Sequence, residues 1–180
     1  NFKKSNIYWL VDPLDGTKEF IKKNGEFTVN IALIKNGKPI YGLIYMPTSK
    51  EIYFTEKKSS YYSKLNKNGE LLEKVKIKTK KRNNNILVLS RSHLNDKKKL
   101  SEIKNFMFKK FNANKIIQSG SSIKLCYIAH GKANIYPRIG PTKEWDIAAG
   151  DAILRNAGGK IRTLDGKVMK YGKRDYKNKS

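Results

Sequence analysis

Two short stretches of this sequence carry residue types able to do metal and phosphate chemistry. The first is Asp12-Pro13-Leu14-Asp15-Gly16-Thr17-Lys18-Glu19-Phe20, with two carboxylates three positions apart. Pro13 fixes φ and removes a donor, and Gly16 permits a tight bend, so the spacing predicts a turn after the first acid. Thr17 would then open the first turn of a helix. Such an arrangement points carboxylates and backbone carbonyls at one place, the ligands Mg²⁺ prefers when it shares its shell with a substrate phosphate. Free N–H groups at a helix start suit phosphate oxygens. The plainer reading is a strand ending in ordinary turn dipeptides, Asp-Pro and Asp-Gly, with no chemistry attached. The second stretch is Trp145-Asp146-Ile147-Ala148-Ala149-Gly150. Asp146 falls in a first helical turn, where the helix dipole alone favours an acid. Ala148, Ala149 and Gly150 would let that helix approach a neighbour closely and carry Asp146 towards Asp12 and Asp15.

Positioning these acids falls to a chain of strands and helices. Ile7-Tyr8-Trp9-Leu10-Val11 reads as a buried strand. Residues 27–34 form a second strand, Asn36-Gly37 is a hairpin signal, and residues 39–46 return as its partner. Residues 51–55 add a third strand of an antiparallel meander. Residues 56–74 read as a polar excursion with a short strand at Tyr61-Tyr62, and Val75 to Ile77 as an edge strand. Ile86 to Leu89 and Lys115 to Gln118 are short apolar strands flanking a helix over about 96–111. Ser119-Gly120-Ser121-Ser122 predicts a turn and an N-cap for a helix ending at Gly131. Residues 133–136 form a strand, 145–157 a helix, and 160–162 and 168–169 weak strands. The tail from Lys173 is expected to be loose. No repeat or linker divides the chain, and strands mixed with long helices predict α+β layers in one domain over 1–180.

The bulk composition narrows the classes. The 180 residues suffice for one core, and a hydrophobic fraction of 38% with mean hydropathy −0.66 describes a polar chain. The net charge of +24 is extreme, but the lysines are spread along the whole length. Neither a nucleic-acid motif nor aromatic residues interleaved with the basic ones accompanies them, so no specific nucleic-acid partner is expected. A positive field still draws in small polyanions. The single cysteine, Cys126, lies in an apolar helical pattern and reads as a core thiol in a reducing compartment. No apolar run approaches 18 residues, so no membrane span is expected.

Taken together, Asp-Pro-Leu-Asp-Gly-Thr and Trp-Asp-x-Ala-Ala-Gly resemble the paired signature of the inositol monophosphatase superfamily of Mg²⁺-dependent, lithium-sensitive phosphatases. Thr17-Lys18-Glu19-Phe20 and Gly25-Glu26-Phe27-Thr28-Val29-Asn30-Ile31-Ala32-Leu33 resemble its 3′(2′),5′-bisphosphate nucleotidase branch, the CysQ type. So do Ser90-Arg91-Ser92-His93, Gly120-Ser121-Ser122-x-Lys124 and Tyr136-Pro137-Arg138-x-Gly140-Pro141-Thr142. The similarity runs from about Ile7 to Tyr171.

The resemblance implies a layered αβαβα sandwich without its N-terminal helices, and a site for two or more Mg²⁺ ions. It gives Asp12, the Leu14 carbonyl, Asp15 and Asp146 to the metals, with Asp12 shared. Gly16 and Thr17 would hold the scissile phosphate through backbone N–H groups, and the Thr17 hydroxyl would orient the attacking water. Ser121, Arg138 and His93 are further candidates for substrate contacts. The implied reaction is hydrolysis of 3′-phosphoadenosine 5′-phosphate to AMP, by a cytoplasmic enzyme or one peripheral to the cytoplasmic side of the inner membrane. An inositol or sugar phosphate on the same scaffold is the alternative substrate. A basic nucleic-acid-binding protein or an inactive fragment is the alternative of another class. The family's body is also preceded by a helical segment that supplies a Glu ligand and an acid paired with the motif threonine, and closed by an Asn-Pro segment. Neither is matched here, so the expectation is the family's body without its first part.

Overall fold

The computed structural model describes residues 6–91, 101, 105–106, 108–138 and 140–178. Alternating polarity in the first half of the chain builds an antiparallel meander of β1 (Ile7–Asp15), β2 (Thr28–Lys35), β3 (Lys38–Met46), β4 (Glu51–Glu56), β5 (Ser59–Lys64) and β6 (Val75–Ile77), side by side in that order. The β2–β3 hairpin turns at Asn36-Gly37, whose φ values of 51° and 70° fit the turn twist that flanking strands require. One sheet face buries Leu10, Ala32, Ile34, Ile44 and Met46.

A short helix, α1 (Thr17–Ile21), leaves the end of β1. In the second half, β7 (Asn85–Ser90) and β8 (Ala113–Ser119) pair in parallel. Residues 105–106 and 108–111, within the crossover between them, are helical as expected; the rest of that expected helix, and His93, lie outside the described residues. Two helices follow, α2 (Ile123–Ala129) and α3 (Glu144–Asn156), with a two-residue pairing of β9 (Thr142–Lys143) and β10 (Lys177–Asn178). Helix α3 lies across β1 to β5, and α2 touches both α3 and β7.

The close seat of α3 depends on two glycines. A Cβ on Gly42 would sit 2.3 Å from the Ala149 carbonyl oxygen, and one on Gly150 2.3 Å from Leu125 Cδ1. The small residues of the second motif therefore allow the close packing that the sequence predicts: Ala149 meets Gly42 of β3, so α3 sits down on the sheet, while Gly150 admits Leu125 of α2.

Several expectations need correction. The first strand does not stop at Val11. It runs to Asp15, and two residues of β1, Pro13 and Leu14, oppose one of β2, Val29, between the Asp12–Asn30 and Asp15–Thr28 pairs. β1 is an edge strand, and such a bulge tolerates Pro13. Nor is β1 buried on both faces, since Ile7, Trp9 and Val11 are about half exposed. Residues 133–136 form a single parallel bridge, Leu87 to Ile135, and residues 160–169 a single antiparallel one, Arg162 to Val168. The tail is tied down: Asn178 is buried, and its amide nitrogen donates to Thr142 Oγ1 (3.1 Å) and the Lys143 carbonyl (3.0 Å). Cys126 is fully buried, as its pattern predicts, and burial pushes its thiol pKa up.

Candidate active site

The end of β1, the start of α1, the β8–α2 turn and the first turn of α3 converge on a cavity of about 270 Å³. Asp15, Thr17, Ser121, Lys124, Arg138 and Asp146 line it.

Asp15 is the best-held acid. Its Oδ2 accepts the Ser122 N–H at 2.6 Å, the Asn30 amide at 3.4 Å and the Thr28 hydroxyl at 3.4 Å. Thr28 and Asn30 are themselves locked by the Ser122 hydroxyl, 2.9 Å from Thr28 Oγ1 and donating to Asn30 Oδ1 at 2.7 Å. Ser122 therefore braces Asp15; although it stands at the N-cap position, no side-chain bond caps α2, which corrects the capping role expected of it. Polar Thr28 and Asn30 occupy the same β2 face as Ala32 and Ile34. Burial foremost, then the charges of Asp12 and Asp146, push the Asp15 pKa up to about 6, against the pull of Lys124 and Asn30.

Asp12 projects from the bulge, and its Oδ1 accepts the Leu14 N–H at 3.1 Å. Burial raises its pKa and that bond opposes the rise. Asp146 is half-buried; its Oδ2 accepts the Lys143 N–H at 2.8 Å, the bond an acid makes when it closes a helix N-terminus. Burial raises its pKa, and the Asp12 charge adds to that. The three acids thus feel one another. Among the described residues, however, no group of three or more metal-ligating side chains closes around a single point. Asp12 and Leu14 are not among the residues lining the cavity; Asp12 reaches it through its charge.

Gly16 takes the left-handed conformation, φ 90°, at the head of α1, where a Cβ would meet the Glu26 carbonyl and Ser121 Cβ at 3.1 Å. No other residue fits that corner without movement. Thr17 is exposed at the cavity mouth. Ser121 also lies in the left-handed region, φ 40°. Arg138 donates to Ser90 Oγ at 3.2 Å and to the Pro141 carbonyl at 3.3 Å.

Sequence reasoning gave no role to Lys124, which is only 4% exposed. Its ammonium donates to the carbonyls of Ser121 and Ser119 and lies 5.4 Å from the centre of the Tyr136 ring. Burial lowers its pKa to about 8 and the nearby Asp15 charge limits the fall, so it stays largely cationic at neutral pH. A lone lysine inside the apolar run Ile123 to Ala129 was the available signal. Also missed was the pairing of Arg91 with Glu26, by two bonds of 2.9 and 2.7 Å, while Glu26 accepts the Gly120 N–H at 2.8 Å. That pairing fixes the β8–α2 turn against the segment entering β2. A larger cavity of about 870 Å³ adjoins Tyr136 and Arg138, but no acid among the described residues lines it.

The Inositol monophosphatase family model matches residues 1–180. The 3′(2′),5′-bisphosphate nucleotidase CysQ of Buchnera aphidicola is 49% identical over 166 residues, 92% of this chain and 58% of that protein. The CysQ of Escherichia coli K12 is 41% identical over 168 residues, 93% of this chain and 63% of that protein. This chain thus spans about three-fifths of the length of these curated relatives. Among solved structures, CysQ from Bacteroides thetaiotaomicron, a bacterial member of the inositol monophosphatase family, superposes with a TM-score of 0.82 at 41% identity, covering 98% of this chain and 69% of that one. SuhB of Mycobacterium tuberculosis shares the fold, with a TM-score of 0.70 at 20% identity over 92% of this chain and 66% of that one.

Proposed function

The chain belongs to the inositol monophosphatase family, and from that premise we propose that it forms the phosphate- and metal-binding body of a Mg²⁺-dependent 3′(2′),5′-bisphosphate nucleotidase, acting in the cytoplasm on 3′-phosphoadenosine 5′-phosphate to give AMP and phosphate. One observation carries this reading: a cavity in which Asp15, its pKa pushed up to about 6 beside Asp12 and Asp146, faces the cations Lys124 and Arg138. A self-repelling carboxylate cluster made of oxygen donors fits a hard divalent cation, whose charge would relieve the repulsion. Asp12, Asp15, Asp146 and the Leu14 carbonyl are the residues that would hold it.

When bound, Mg²⁺ supplies an activated water and neutralises charge on the leaving oxygen. The chain's own residues do the rest. Gly16 and Thr17 present backbone N–H groups to the scissile phosphate, and the Thr17 hydroxyl orients the water for in-line attack. Lys124 and Arg138, which line the cavity together with Ser121, would take the second phosphate. That gives a reason to favour a bisphosphorylated substrate over inositol 1-phosphate, which has one phosphate and no use for two further cations.

The test is side-by-side turnover of 3′-phosphoadenosine 5′-phosphate and inositol 1-phosphate by the protein carrying this chain, against Mg²⁺ concentration and with added lithium. Faster, Mg²⁺-dependent and lithium-inhibited hydrolysis of the nucleotide is expected. A preference for inositol 1-phosphate would overturn the substrate reading, and metal-independent turnover would overturn the mechanism.

A further inference from the structure

The tail of the chain closes over the helix start that carries Asp146. Glu144, the first residue of α3, is fully buried, yet its carboxylate is satisfied: Oε2 accepts the Gly172 N–H at 2.9 Å, and Oε1 accepts the Lys173 N–H at 3.0 Å and the Lys173 ammonium at 3.1 Å. The same ammonium donates to the Lys170 carbonyl at 2.6 Å and to Asn178 Oδ1 at 2.9 Å, so all three of its protons have acceptors. Asn178 passes the tie onward through its bonds to Thr142 Oγ1 and the Lys143 carbonyl. The Glu144 N–H donates to the Tyr176 carbonyl at 2.8 Å, and the Trp145 and Tyr176 rings pack with centroids 5.9 Å apart. β1 reaches the same place: a Cβ on Gly172 would lie 3.0 Å from Tyr8 Oη, a tight contact at a φ of 94° that favours glycine.

We propose that Lys173 is a positioning residue: by bridging Glu144 and Asn178 it clamps the tail onto Thr142–Glu144 and thereby fixes the Lys143 N–H that orients the Asp146 carboxylate. The inference rests on reading Asp146 as a metal-binding acid of the proposed site. Lys173 itself need not touch substrate or metal. Its effect travels through the two hydrogen bonds that Asn178 makes to Thr142 and Lys143, just before α3, and through the Lys143 backbone donor. Removing a supporting hydrogen bond behind a metal ligand typically weakens metal affinity by about 10- to 100-fold.

The experiment compares the parent protein with Lys173→Met and Lys173→Arg. It reads amide hydrogen exchange along 142–154 and calorimetric binding of Mg²⁺ alone, with no substrate present. In Lys173→Met, exchange at Lys143 and Glu144, whose N–H groups donate to Asp146 Oδ2 and the Tyr176 carbonyl, should accelerate about tenfold or more while Ala152 to Leu154 stay protected, and Mg²⁺ should bind about tenfold more weakly. Lys173→Arg, which keeps the charge and the donors, should recover at least part of both. If Lys173→Met does not fold, Asn178→Ala removes the second tie and should show the same local pattern. Unchanged exchange at the helix start with unchanged Mg²⁺ affinity would overturn the proposal, even with a lower melting temperature. Uniform acceleration along all of α3 would also overturn it, as the mark of a purely structural latch. Failure of the parent to hydrolyse the nucleotide would sink the proposed substrate, whereas the exchange pattern would still decide the clamp.

Discussion

Asp15, half-buried at the end of β1, and Asp151, fully buried in α3, are both acids whose pKa is pushed up by burial. Their partners differ in sign. Asp151 is fully enclosed and met by complementary donors: Arg155 reaches it through two bonds of 2.7 and 2.8 Å, and the Tyr171 hydroxyl donates at 2.9 Å. Every neighbour acting on its pKa offsets the burial. Asp15 instead has two acids among its strongest influences, and neutral donors where Asp151 has a guanidinium. A buried carboxylate marks a site of chemistry when its surroundings leave its charge uncompensated; when they compensate it, the same burial is architecture. The difference also predicts opposite consequences of removing each charge.

The largest expected effect is on activity. Asp15→Asn, or Asp12→Asn, should lower nucleotide turnover by on the order of a thousandfold, the scale of lost electrostatic stabilisation in phosphoryl transfer. The metal-free melting temperature should hold or rise, because a repelling charge has gone. A variant that melts far lower yet turns over normally would return these acids to the role of turn residues.

Asp151→Ala should do the reverse. It strips the partner from Arg155 and the acceptor from Tyr171, and should cost about 3 kcal/mol of stability, read as a shift in denaturant midpoint. Turnover per folded molecule should stay within a few-fold of the parent. If activity collapses without unfolding, the distinction between the two acids fails.

Gly42→Ala joins the two regions, since α3 carries both Asp146 and Asp151. With the Ala149 carbonyl 2.3 Å from the new methyl, the helix must lift off β3. A loss of about 1–3 kcal/mol is expected, with weaker Mg²⁺ binding in the same variant. Stability loss with unaltered Mg²⁺ binding would show that the site does not depend on this close approach.

The smallest effect concerns Glu26. Burial raises its pKa, but the Arg91 bonds and charge and the Gly120 N–H outweigh it, so the folded value lies below the ordinary 4.5. A depressed folded pKa means stability that is present above about pH 4.5 and lost as pH falls through the folded value. Arg91 is about half exposed, so this should amount to less than about 1 kcal/mol. Glu26→Gln should flatten that part of the acid limb in a stability-versus-pH curve by lowering the neutral-pH end by that same small amount, while leaving the curve below the folded pKa nearly unmoved.

The meander was legible because each of its signals is local. Apolar strand patterns marked β2 to β4, Asn36-Gly37 marked the hairpin, and the small residues after Asp146 marked the close helix, whereas β5, expected only as Tyr61-Tyr62 in a polar excursion, runs from Ser59 to Lys64. The two acidic motifs were legible as candidates for the same reason, with residue type and spacing visible along the chain. The Pro13 bulge was not, because whether a proline turns a strand or sits inside one depends on which side of the strand has a partner. The exposed outer face of β1 escaped notice because apolar content does not say which face is covered. Lys124 entered only as part of a matched motif with no role of its own, and Lys173 looked like part of a loose tail. Only the tertiary structure decided that one is buried beside Asp15 and that the other closes over Glu144. By itself the sequence determined the elements, the acids and the family they resemble. Tertiary structure decided which charges are compensated, because compensation depends on distances between residues far apart in the chain, and no local pattern encodes them.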